Sequence, residues 1–309
     1  MKPINILHLS YLSIWNLGQN KGRVSIFLPL KAFVDRGHKV RFLTNDKNQK
    51  RGNVEGIEVE KVCAYFSPIR KRYVQNLSRL IFFPINTLCY IAKGFFATKR
   101  FKPQVIYAHT PDVSLPAYIL SKLFGAKYVL RLYGTGGFKK GSFIYKILHF
   151  DFYLAFFLKA DLYILTNDGT SAKNVAVSYG VKESKIHFLK NGIDKSFADK
   201  RVDPLLRSTI APNSEKVLIT VSRLEKSKQI DFIIKALSLL IERNKNIKLI
   251  IVGDGNELQN FNELANELGV QDYICFTGAL EQSRVIDYVK ISDLFISMNA
   301  LSSMSNPVF

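Results

Sequence analysis

The sequence predicts an α/β protein: two doubly wound, Rossmann-like domains facing a cleft, the second of them incomplete. Three observations carry this. Short apolar runs alternate with helical patterns along the chain, as parallel strands joined by crossover helices require. That rhythm breaks once, over 190–215, where a polar stretch with two Pro lacks a sustained apolar period. The length, 309 residues, suits two domains better than one. The boundaries are therefore set at 1–195 and 196–309.

In the first half the apolar runs expected as strands are 4–9 (INILHL), 39–44 (KVRFLT), 57–62 (IEVEKV), 105–109 (VIYAH), 127–132 (KYVLRL), 162–166 (LYILT) and 186–189 (IHFL). Each is short and alternates with a helical pattern, so together they read as the parallel strands of an α/β sheet. Helical patterns fill the gaps at 23–36, 75–98, 112–124, 142–159 and 170–180. After the break the alternation restarts. Strands are expected at 217–222, 248–252, 273–277 and 294–298, and helices at 229–244, 256–268 and 281–291. The chain stops at Ser-Asn-Pro-Val-Phe directly after a strand, and is expected to be cut.

Hydrophobic residues make up 47% and charged residues 22%, which excludes disorder, collagen and coiled coil as the main architecture. The formal net charge of +19 seeks polyanions: nucleic acid, an anionic membrane face or phosphorylated substrates. Cys63, Cys89 and Cys275 lack metal-ligand spacing and read as reduced thiols of a cytoplasmic protein. The N-terminal MKPINILHLS turns polar too soon for a secretory signal. Residues 80–98 are the nearest approach to a membrane span, but Pro84, Asn86, Thr87 and Lys93 favour an interfacial or half-buried helix. Residues 61–111 hold nine Lys or Arg, no Asp or Glu, and interleaved aromatics. Arg70, Lys71, Arg72, Arg79, Lys99 and Arg100 are expected to face an anionic membrane surface. Solvated flanks on a core helix, or nucleic-acid contact, are the alternatives.

Five segments are candidates for chemistry. In VSRLEKSKQID, Arg223 and Lys228 follow a strand and precede a helix, a place where two cations suit a diphosphate. In IIVGDGNEL, a strand runs into Gly253, Asp254 and Gly255; the glycines, with no side chains, let a ligand approach or simply make a tight turn. The long first connection carries Gly18 and Gly22 just before a helix. His109 ends a strand and is expected to point into the cleft. LYGTGG, 132–137, is another glycine-rich strand end.

In combination these segments resemble the group 1, or family 4, retaining glycosyltransferases of the GT-B fold. The matching pieces are Gly37-His38-Lys39-Val40, His109, Asn191-Gly192-Ile193-Asp194, Ser222-Arg223-Leu224 with Lys228, and Gly253-Asp254-Gly255, in the family's order along nearly the whole chain. Three departures stand out. The first loop separates Gly18 from Gly22; of the family's two Glu, Ser302 stands where the first belongs and the second falls beyond Phe309; the closing helices do not follow.

The resemblance implies transfer of a sugar from a nucleotide diphosphate to a lipid-linked or polysaccharide acceptor with retained configuration. Arg223 and Lys228 would hold the diphosphate, Gly253 to Gly255 would line the nucleotide pocket with Gly18 and Gly22 near the donor, and His109 would lie by the transferred sugar as the catalytic histidine. No Asp-x-Asp occurs, so neither a metal nor another cofactor is expected; the nucleotide sugar is a substrate. The expected location is peripheral, at the inner face of the cytoplasmic membrane. The competing readings are a non-catalytic truncated remnant of such an enzyme, a nucleotide-dependent oxidoreductase and a nucleic-acid-binding module.

Overall fold

The computed structural model describes residues 2–11, 24–45, 51–63, 72–134, 146–147, 149–166, 172–189, 199–212 and 216–298. The chain divides into two compact units, Met1–Ile193 and Asp194–Phe309.

The strands of the first unit are β1 (Asn5–Ser10), β2 (Lys39–Thr44), β3 (Gly52–Val54), β4 (Ile57–Lys61), β5 (Val105–His109), β6 (Lys127–Leu132), β7 (Leu162–Leu165) and β8 (Ile186–Phe188). Its described helices are α1 (Val24–Asp35), α2 (Arg72–Phe101), α3 (Ser114–Phe124), α4 (Phe150–Phe157) and α5 (Ala172–Ser178). The strands form one sheet in the order β3-β4-β2-β1-β5-β6-β7-β8, parallel throughout except for the β3–β4 pair. The central strands are covered on both faces, which is why they read as continuous apolar runs. Leu7, Leu9, Ile106, Ala108 and Leu130 face one core with Tyr90, Ala97, Leu120 and Phe156 from the helices. Phe42 and Val59 face the other, with Ile26, Phe27 and Leu30 of α1.

Two features of this unit were not legible in the sequence. β3 has three residues, too few to show alternation; it is fixed by a two-residue turn in which Glu55 and Gly56 both take positive φ, 49° and 88°. The Asn53 side-chain oxygen accepts the Gly56 N–H at 2.8 Å. The second feature is the length of α2. It runs 30 residues, about 45 Å at the usual rise, well beyond the expected 75–98. Conversely, the described parts of the expected helices 142–159 and 170–180 are shorter, at Phe150–Phe157 and Ala172–Ser178.

The second unit contains β9 (Lys216–Val221), β10 (Ile247–Val252), β11 (Ile274–Gly278) and β12 (Leu294–Phe295). Its helices are α6 (Leu205–Ile210), α7 (Ile230–Ile241), α8 (Leu258–Glu267) and α9 (Gln282–Lys290). The sheet order is β11-β10-β9-β12, all parallel. One core lies under α7 and α8 around Ile234, Leu237, Leu249 and Phe261; another lies around Val217, Ile219 and Ile250. The short helix α6 falls inside the stretch expected to lack elements. Ile210 packs it against the core around Val217 and Ile219, and Arg207 ties it down, donating to the Ile291 carbonyl at 2.6 Å and to Asp293 Oδ2 at 2.8 Å. Asp293 also accepts the Val217 N–H at 2.7 Å, and that bond, then Arg207, holds its carboxyl below the ordinary range.

Gly94 sets how closely α2 approaches α3, because a methyl group there would overlap Leu120 Cδ1. Gly94→Val is expected to lower the unfolding free energy by about 1–3 kcal/mol through overpacking. Urea denaturation checks this; an unchanged midpoint would show that the crossing has room to spare.

Candidate active site

In both units the strand order reverses around one central strand. β1 has β2 on one side and β5 on the other; β9 has β10 on one side and β12 on the other. Ligands of open parallel sheets bind beyond the C-terminal ends of the strands at such switch points. Of the residues singled out in the sequence, His109 ends β5 at the first of these places and Arg223 and Lys228 follow β9 at the second.

At the switch point of the first unit, β1 and β5 run in register with Ser10 opposite His109 and His8 opposite Tyr107. Residues 8, 107, 109 and 131 therefore share one face of the sheet. His109 Nε2 lies 2.9 Å from His8 Nδ1, and His109 Nδ1 lies 2.8 Å from the Tyr133 hydroxyl. His8, His109 and Arg131 are buried, and the Arg131 guanidinium stands 4.6 Å over the Tyr133 ring. Burial, then the Arg131 charge, pulls the His8 pKa down to about 3. Burial, then His8 and Arg131, holds His109 well below its ordinary value. Both imidazoles are neutral at pH 7. The sequence placed His109 at the strand end, as found, but the ring does not project from the edge: it is enclosed, with both nitrogens engaged. His8 and Arg131 were not singled out, and Tyr133 entered only as part of the LYGTGG segment, 132–137. Their only signal is equal parity on neighbouring strands, and reading it needs the register of the sheet.

The next residue, Thr110, has φ 91°, a conformation strained for a β-branched side chain. Such outliers cluster at ligand sites.

In the second unit, Arg223 and Lys228 leave the end of β9 together. Arg223 is exposed, with 75% of its side-chain surface accessible, and pairs with Glu225 at 2.8 Å. Lys228 is 9% exposed, and burial, then the nearby Arg223 charge, lowers its pKa despite Glu225. Two cations thus lie close together at the start of α7, one of them largely buried, with the Glu225 carboxylate between their charges.

Gly253 and Gly255 are required by the packing of their own chain. The space beside their Cα atoms is already filled by protein: a methyl on Gly253 would overlap the Ser222 carbonyl, and one on Gly255 the Leu224 carbonyl. Gly253 also has φ 142°, closed to side chains. The two connections are then laced together, Leu224 N–H to the Asp254 carbonyl at 3.0 Å and Glu257 N–H to the Leu224 carbonyl at 3.1 Å. The Asp254 side chain accepts the Gly255 N–H at 2.7 Å and so caps its own turn. The glycines thus position the Arg223–Lys228 segment. Gly18, Gly22, Arg70, Lys71 and residues 191–194 lie outside the described residues; Arg72 and Arg79 are helical, and Lys99 and Arg100 are exposed at the end of α2.

Gly253→Ala is expected to cost roughly 2–4 kcal/mol, combining backbone strain with overlap of a carbonyl. The measurement is the urea midpoint of the variant. Full retention of stability would remove the interlock.

Comparison with known proteins agrees with this geometry. The family model described as glycosyltransferase family 4 matches residues 30–197, more than half of the chain, and that described as glycosyl transferases group 1 matches 203–300. Alpha-monoglucosyldiacylglycerol synthase of Streptococcus pneumoniae is 34% identical over 30% of this chain and 21% of its own length. A phosphatidylinositol N-acetylglucosaminyltransferase polypeptide of Homo sapiens is 22% identical over 86% of this chain and 52% of its own length. The chain thus spans about half, or less, of these two relatives. Among solved structures, Anabaena HepE in complex with UDP and glucose superposes with a TM-score of 0.63 at 18% identity, over 96% of this chain and 74% of HepE. That likeness gives the fold, GT-B with its pair of Rossmann-like domains. The chain belongs to the group 1, family 4 glycosyltransferases.

Proposed function

We propose that the chain transfers a sugar from a nucleotide diphosphate donor, with retained configuration, to a lipid-linked or polysaccharide acceptor at an anionic membrane surface. The observation that carries the donor half is the Arg223–Lys228 pair: two cations at the switch point of the second unit, one buried. An anion relieves their repulsion, and the positive charges stabilise the negative charge that builds on the departing diphosphate. These cations belong to the chain, so the reading needs no metal ion. The HepE complex with UDP and glucose supports a nucleotide sugar. The names of the two relatives support a lipid acceptor.

Helix α2 supports the membrane half. Ile81–Phe101 is long and apolar enough to cross a membrane, by length and composition alone. Its exposed side chains include Ile81, Ile85, Leu88, Phe95 and Phe96, while Asn86, Thr87 and Thr98 are buried. The exposed set recurs at helical spacing and makes one apolar stripe, with Lys99 and Arg100 exposed at its end. A helix lying in the lipid headgroup region presents such a face. The helix would therefore lie on the membrane, at the cytoplasmic side, rather than span it.

Two outcomes follow. Arg223→Ala is expected to weaken uridine or guanosine diphosphate binding by roughly 1.5–3 kcal/mol, as for a hydrogen bond to a charged group. Because the Lys228 pKa is lowered from 10.5, its charge is lost earlier than usual as pH rises. Affinity should fall through that alkaline range in the native chain, and Lys228→Met should flatten that part of the curve. Calorimetry reads both effects; affinities that neither substitution changes would refute the donor site.

In vesicle co-sedimentation, swapping the charges of Arg70, Lys71 and Arg72 should remove the salt-sensitive part of binding to anionic lipid. Leu88→Ser with Phe96→Ser should remove the salt-resistant part, since apolar burial is not screened. A native chain that ignores anionic vesicles at low salt would end the membrane reading.

A further inference from the structure

We infer that the first unit carries an anion site away from its active site: a hollow lined by Lys159, Lys182 and Lys185 that takes the phosphate of an anionic lipid headgroup. The inference rests on the membrane reading above for the source of the phosphate; the hollow itself does not depend on it.

The hollow lies where β7 and β8 begin. Lys159 and Ala160 lead into β7, and Gly180, Lys182 and Lys185 lead into β8. This is the end of the sheet opposite to the switch point, so a ligand here does not compete with one at the active site. Its volume is about 160 Å³. A nucleotide needs a pocket of several hundred Å³, whereas a phosphate with a few waters fits.

The lining is one-sided in charge. It holds three lysines and no carboxylate, with buried Ala160, Tyr163 and Val181 as its apolar part. The acids that adjoin it in sequence are engaged: Glu183 pairs with Lys173 at 2.6 Å, and Asp161 accepts the Tyr128 N–H at 2.9 Å. Lys159 and Lys182 are exposed and make no ion pair among the described residues. Lys185 is half-buried and donates to the Ala160 carbonyl at 3.2 Å, which fixes its charge at the hollow and leaves two ammonium protons for a ligand. Lys159 has φ 46°, the left-handed conformation that glycine usually supplies after a helix. The chain thus keeps a cation, at some strain, where glycine would fit more easily. A phosphate, with several acceptor oxygens and no donor, matches this set of charged donors.

The surface beside the hollow points to a lipid phosphate. Phe157, two residues before Lys159, is 64% exposed, and the Tyr153 ring one turn earlier stacks on it at 6.1 Å. Tyr179, which precedes Gly180, meets Tyr153 edge-on at 6.0 Å. Both segments that build the hollow are therefore flanked by aromatic side chains. A free phosphate gains nothing from them, whereas the headgroup and acyl boundary of a bilayer does. Helices α2 and α4 also pack on the same face of the sheet: Tyr90 and Ala97 of α2 share one core with Ala155 and Phe156 of α4. Their outer sides face the same way, so one lipid surface meets the α2 stripe and the hollow together.

Two probes test this. Glycerol 1-phosphate in solution is read by NMR of the lysine-labelled full chain. Vesicles of phosphatidylcholine, with and without phosphatidylglycerol, are read by co-sedimentation at low salt. The site variant is Lys159→Gln with Lys182→Gln. The control, Arg36→Gln with Lys39→Gln, removes the same charge beside α1, which covers the other face of the sheet. The site variant should weaken binding of glycerol 1-phosphate and of phosphatidylglycerol vesicles by about tenfold or more, the order for two cations at an anionic surface. The control should leave both nearly unchanged, and Phe157→Ser should lower vesicle binding alone. Equal losses from the two variants would mean diffuse charge attraction, which overturns the site and leaves the membrane reading standing. So would vesicle binding by a native chain that shows no lysine response to glycerol 1-phosphate. A native chain that binds glycerol 1-phosphate through these lysines but ignores phosphatidylglycerol vesicles would overturn the lipid source and the membrane reading together.

Discussion

The second unit depends on a contact between backbones. The carbonyls of Ser222 and Leu224 press against Gly253 and Gly255, so the connection after β9 and the connection after β10 form one body. A side chain at either glycine would push them apart. Because they cannot separate, Arg223 and Lys228 are carried at a fixed place on the sheet edge, with Lys228 pressed into the protein. Main-chain packing, with the Glu225 carboxylate beside Arg223, holds the two cations together against their repulsion.

The first unit solves the opposite electrostatic problem at the corresponding place. His8 and His109 are too deeply enclosed to carry charge, and Arg131 lies on the same sheet face. A second positive charge there would be expensive, so the histidines stay neutral and are ordered by hydrogen bonds rather than ion pairs. One sheet end is thus rich in fixed positive charge and the other in neutral donors and acceptors.

Helix α2 shows how a parallel sheet assigns faces. Its inner side meets a sheet already lined by Leu7, Leu9, Ile106 and Leu130, and small or polar groups such as Gly94, Thr87 and Thr98 lie there because α3 approaches closely. Tyr90 and Phe101 turn inward into the same core, while Ile81, Leu88 and Phe96 stay exposed on the opposite side.

The sequence by itself determined the α/β class, the order of strands and helices apart from β3 and α6, and the position of the chemical segments at strand ends. Each of these depends on local periodicity and on turn residues, which neighbouring positions encode. It also marked Arg223, Lys228 and His109. Tertiary structure decided what these residues are to one another. That Gly253 and Gly255 accommodate a neighbouring backbone depends on two connections 30 residues apart meeting in space, and nothing local distinguishes this from room for a ligand. That His109 is enclosed and leaned on by His8 depends on the register of β1 against β5, set by residues about a hundred positions apart. That 80–98 carries its apolar stripe outward depends on which side α3 occupies. Local sequence encodes period and capping; partners, burial and hydrogen-bond direction are properties of the packed sheet.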